Sequence, residues 1–163
     1  MSQENELQGL GGWLILVGIG VVIRPLILLA TTVPVFLPIF LDGTWSALTT
    51  PGSELYHPYY FPLLLGEMIF NSIMLLALFY LIYLYFSKHY LFPRFFIAIM
   101  LASLIIVPID SWFFTLIDPS EPVFDSDTTR EFVRLLVSSV IWIPYMLVSK
   151  RVHATFVAHR PQS

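Results

Sequence analysis

The sequence has no cysteine, which removes disulfides, thiol nucleophiles, thiolate metal sites and iron–sulfur clusters together. It is also poor in charge: Asp, Glu, Lys and Arg make up 12% of 163 residues, about half their usage in soluble domains. The formal net charge is -3, and basic residues cluster with aromatics only briefly at the C-terminus, so nucleic acid is not an expected partner. No Asn-x-Ser/Thr sequon, His-Glu-x-x-His, Gly-x-Ser-x-Gly, P-loop or Rossmann motif is present. No catalytic residue, cofactor or metal site is expected, and the chain is read as non-enzymatic.

What the chain does have is apolar residues, 57% of the total, with a mean hydropathy of +0.80. A soluble domain of this size buries only about 70% of the surface its unfolded chain exposes, so the excess needs lipid as its neighbour. Four apolar stretches, approximately residues 12–35, 61–86, 92–117 and 130–149, match the roughly 20 residues that cross a hydrocarbon core. None carries a broad polar stripe at helical spacing, as lipid-embedded helices do not. The expected fold is all-α, a polytopic four-transmembrane-helix bundle forming one membrane domain over residues 1–163. The N-terminal segment carries Glu4 and Glu6 and no basic residue, unlike a secretory signal, and the first span is expected to be retained.

Local signals set the helix ends. The first stretch stays apolar to Leu41, longer than a bilayer is thick, so a kink near Pro25 and a loose end around Pro34–Pro38 are expected. Pro62 and Pro93 mark the first turns of the second and third helices. Thr128 and Glu131 have capping-box spacing and place the start of the fourth. Lys88, Arg94, Lys150, Arg151 and Arg160 flank one set of membrane boundaries, while the loop at residues 41–60 has no basic residue and the loop at 118–129 is acidic. The positive-inside rule then puts both termini in the cytoplasm. Trp13, Tyr83, Tyr90 and Tyr145 near one boundary and Trp45, Tyr59 and Trp112 near the other form the two expected aromatic belts.

Ionisable residues inside spans are expensive and face the bundle or a cavity. Arg24, Glu67, Asp110 and Arg134 come one from each helix, sum to zero and fall at similar depth in the outer half at about 1.5 Å per residue. Asn71 follows Glu67 by four residues and Ser138 follows Arg134 by four, so each pair shares a helix face. These six residues are expected to form one intramembrane polar network, either a structural clasp or a pocket for a substrate or proton. In the tail, Lys150, Arg151 and Arg160 are candidates for binding anionic lipid headgroups, with Val152 and Phe156 on one apolar face that would lie in the interface.

Several motifs carry a family likeness. Gly9-Leu-Gly-Gly-Trp-Leu-Ile-Leu with Arg24-Pro25, Glu67 with Asn71, Phe92-Pro93, and above all Ile141-Trp-Ile-Pro-Tyr-Met-Leu-Val-Ser-Lys-Arg-Val-His-Ala-Thr-Phe-Val resemble the YdgK-like family of small bacterial inner-membrane proteins, a family of unknown function. The resemblance spans nearly the whole chain and implies a four-helix inner-membrane protein with no catalytic residues to carry over. The chain departs from the pattern at Ser87-Lys-His-Tyr-Leu, which is less basic than expected before Phe-Pro.

The resulting functional expectation is a non-enzymatic accessory or interaction protein, whose partners are membrane lipids and another membrane protein or a second copy of itself. A small transporter or channel-like protein with a polar intramembrane cavity is the alternative.

Overall fold

The structure is a computed structural model that describes residues 8–158. Four long helices dominate: α1 (Trp13–Leu41), α3 (Tyr60–Phe86), α4 (Phe92–Phe114) and α5 (Ser126–Val148), with short helices α2 (Thr44–Thr49) and α6 (Lys150–Thr155) after the first and last. All four long helices have the length and apolarity to cross a membrane. Most of their large apolar side chains, such as Ile15, Ile73, Ile105 and Val140, point outward and are exposed, as expected where lipid replaces water.

The chain runs up and down. The Tyr85 hydroxyl near the end of α3 donates to the Leu14 carbonyl at the start of α1, and Tyr85 also packs on Phe92, which opens α4. Thr155 after α5 exchanges hydrogen bonds with the backbone of Gly9, both at 3.1 Å. The beginnings of α1 and α4 and the ends of α3 and α5 therefore meet at one pole, here the termini pole. The connections at residues 42–59 and 115–125 lie at the other, the loop pole. α1 packs on α3, α3 on α4, and α4 on α5, and the ring formed by Trp13 and Trp142, 6.3 Å apart, brings α1 to α5.

α1 differs from expectation. It continues unbroken through Pro25, Pro34 and Pro38 to Leu41, 29 residues or about 43 Å, and is not loosened at Pro34–Pro38. Each proline removes one backbone donor, but an unwound segment at this depth would leave several groups without partners, which lipid does not satisfy. The helix closes when the Asp42 N–H donates to the Pro38 carbonyl at 2.9 Å.

α5 also starts earlier than expected. Asp125, not Thr128, is the N-cap, and its carboxylate accepts from the Thr128 N–H at 2.7 Å. An aspartate three residues ahead of that N–H satisfies the same orphan donor that the capping box would have used from the other side. At the far end of α5, Ser149 has extended backbone and its hydroxyl accepts from the Val152 N–H. This breaks the helix and turns α6 back onto the bundle.

The core is not evenly spread. Leu14, Val17, Leu81, Leu84, Phe92 and Met146 are buried together near the termini pole. α6 completes that cluster: Val152 is 0% and Phe156 5% exposed, and Phe156 stacks on Phe92 with ring centroids 4.4 Å apart. The expected interfacial apolar face of the tail is thus turned into protein, because the groove between α1, α3 and α4 offers aromatic surface. Ala158 extends the docking, its N–H donating to the Lys88 carbonyl and its carbonyl accepting from the Tyr90 N–H. Toward the loop pole the packing thins and a cavity opens.

An acidic cavity at the loop pole

The cavity holds about 640 Å³ and lies between α3, α4, the start of α5 and the loop joining α4 to α5. Three helices and a loop bring carboxylates to it. α3 contributes Glu67 and, one turn on, Asn71; α4 contributes Asp110; the loop and α5 contribute Asp118, Glu121, Asp125 and Glu131. None of its lining residues is basic.

The rim is fixed by short-range turns. The Asp118 carboxylate accepts from both the hydroxyl and the N–H of Ser120, and these bonds hold its pKa below the ordinary carboxylate value. The bond from Thr128 does the same for Asp125. Both groups are therefore anionic at neutral pH. The Ser111 hydroxyl donates to the Val123 carbonyl and ties the loop to α4. Deeper in, Glu67 and Asp110 are close enough to act on each other electrostatically, as are Asp110 and Glu131. Among the described residues no hydrogen bond or ion pair reaches the carboxylate of Glu67 or Asp110, and the ion pair found there joins exposed Arg130 to Asp127 at 3.5 Å.

The six residues expected to form one network are separated. Glu67, Asn71 and Asp110 share the acidic cavity. Arg24 and Ser138 border a second cavity of about 180 Å³ nearer the middle of the bundle, where the Arg24 guanidinium donates to the Ser103 hydroxyl at 3.3 Å. The acid that acts electrostatically on Arg24 is Glu131. Arg134 is exposed on the outer surface of α5. The compensated cluster inferred from depth alone is thus resolved into a purely acidic site, an arginine beneath it and a second arginine facing away. Depth along four helices does not encode rotation about their axes, and rotation is what divides these side chains.

The loop carboxylates Asp118, Glu121 and Asp125 were legible as an acidic segment and Glu131 as a capping residue, but none of them as part of the same site as Glu67. The available signal was the shortness of the link from Asp110 to Asp125, which leaves the loop little choice but to fold over the end of α4. In the tail, Lys150 is exposed and Arg151 half-buried, its guanidinium lying against Gly11 and Gly12; Arg160 lies outside the described residues. Among those residues no group of three or more His, Asp or Glu is arranged to hold a metal ion, so the carboxylates surround a space rather than a point.

Four apolar spans around an off-centre polar cavity define a polytopic helical membrane protein. The chain belongs to the family described as "Protein of unknown function (DUF2569)", whose model matches residues 7–157. No curated protein and no solved structure matches it.

Proposed function

We propose that this is a non-enzymatic, multi-pass protein of the bacterial inner membrane, YdgK-like in its motifs, that admits a cationic ligand to an acidic cavity open to the outer side. The observation that carries this reading is the lining itself: two carboxylates within membrane spans, Glu67 and Asp110, face a cavity of about 640 Å³ together with four more acids and no base. A lining whose charged groups are all acidic, set in a low-dielectric wall, attracts and concentrates cations. A volume of this size falls in the range of about 300–1,000 Å³ typical of small-molecule sites. The distribution of Lys and Arg supports cytoplasmic termini and hence an outward-facing loop pole, and Lys150 and Arg151 then stand where anionic headgroups of the inner leaflet lie.

The test uses the absence of native cysteine. Gly66 lines the cavity and a Cβ there meets open space, so Gly66→Cys adds a reporter without a clash. On intact spheroplasts, a membrane-impermeant cationic methanethiosulfonate is expected to react about tenfold faster than an anionic one after normalisation to a free thiol. Glu67→Gln with Asp110→Asn should lower that ratio. Equal normalised rates, or reaction only from the cytoplasmic side, would sink the proposal.

Arg134 supports a second, accessory role. An exposed arginine among Val133, Val137 and Ile141 on the lipid-facing side of α5 is an unusual group to offer to lipid, and a carboxylate from a neighbouring membrane helix is a suitable partner.

A further inference from the structure

A second concavity adjoins the acidic cavity. It is an apolar groove of about 300 Å³ between the later half of α1 and α3, bordered by Thr32, Val33, Phe36, Met68 and Ser72. Asn71 borders both spaces. α3 therefore presents two adjoining faces, Glu67 and Gly66 toward the acids and Met68 and Ser72 toward the groove. Both helices are long and apolar enough to span the membrane, which puts the groove between them at the level of lipid tails.

Resting on the cation reading above, we infer that the ligand is an amphiphilic cation, an amine carrying an alkyl or aromatic tail, with its ammonium group among the carboxylates and its tail in the groove between α1 and α3. Each part of the surface excludes a simpler occupant. A small hydrated cation makes no use of an apolar groove at tail depth. A neutral tail makes no use of Glu67 and Asp110. A zwitterionic phospholipid brings a phosphate beside its ammonium, and that phosphate would meet a cavity whose charged lining groups are all acidic. Asn71 is the residue the two spaces share, and the small side chains of Thr32 and Ser72 border the groove beside it, so the side that an amphiphile dissolved in the bilayer would meet first adjoins the acids.

The experiment uses the full chain in phosphatidylcholine vesicles and a long-chain alkyltrimethylammonium with a photoreactive group at its tail end. The crosslink is expected to concentrate about tenfold in residues 28–40 and 68–75 over the exposed face of α5, and excess unlabelled probe should remove it. Ser72→Phe, or Thr32→Phe if the first variant does not fold, fills the groove and should abolish the concentrated crosslink. The cation-to-anion thiol ratio at Gly66→Cys should stay unchanged. A crosslink spread evenly over lipid-facing helices, or one indifferent to both fillings, overturns the amphiphile while a normal thiol ratio leaves the cation cavity standing. A thiol ratio of one in the unfilled protein overturns both.

Discussion

The Tyr85 hydroxyl donates to the Leu14 carbonyl at 2.7 Å across 71 residues of chain, and it does so over Gly18, where a Cβ would collide with the Tyr85 ring. The glycine is needed for close approach: α1 and α3 meet where the hydroxyl end of Tyr85 comes against bare backbone. Gly18→Ala should push the ring away and cost about 1–3 kcal/mol, and Tyr85→Phe about 1 kcal/mol. Because both lose the same bond, the double variant should fall short of the sum. Equilibrium unfolding in mixed micelles, followed by tryptophan fluorescence, reads all three.

Phe156 anchors the tail by stacking on Phe92. Phe156→Ala should cost about 3 kcal/mol and open residues 149–158 to protease in vesicles, whereas Lys150→Gln, at an exposed position, should leave protection intact. The opposite pattern would mean that headgroup charge, and not the aromatic core, holds α6 in place.

Asp125 makes the start of α5 sensitive to acid. Its folded pKa lies below the ordinary carboxylate value because the Thr128 N–H bonds its charged form. The stabilisation is thus fully present above the unfolded pKa of about 3.9 and is lost as pH falls through the lower folded value. Asp125→Ala should lower the thermal midpoint at neutral pH, and the gap to the parent should close in acid. Asp125→Asn, a good cap without a titrating group, should keep its midpoint there.

Glu67→Gln and Asp110→Asn should each leave stability unchanged or raise it, since each removes one member of a like-charged pair. A clasp predicts the reverse: neutralising one partner of a buried ion pair costs about 3–5 kcal/mol. A loss of that size in either single variant would show that these acids have basic partners.

The sequence revealed the fold almost completely because four long apolar runs leave a chain in lipid few alternatives. Their ends were legible wherever a residue acts locally, as Pro93 does at the start of α4. The start of α5 was misjudged because Asp125 and Thr128 are both competent caps, and choosing between them requires knowing where the loop turns. The site was half legible. Glu67, Asn71 and Asp110 stood out as costly residues in apolar runs, but their separation from Arg24 and Arg134 depends on helix rotation set by contacts such as Tyr85 against Gly18. The inward turn of Val152 and Phe156 was hidden for a related reason. An apolar stripe beside basic residues fits a membrane surface and a protein groove equally well, and the nearby aromatic groove exists only once α3 and α4 are packed.

The hydrogen bonds between Gly9 and Thr155 span 146 positions, and that separation has a meaning in time. At a synthesis rate of about 5–20 residues per second, the first helix enters the membrane roughly 7–30 seconds before its partner at the termini pole exists. Through that interval the glycine-rich segment that leads into α1, Gly9 to Gly12, lacks the contacts that Thr155 and Arg151 of α6 later supply, so the nascent protein presents an unfinished glycine surface at this pole.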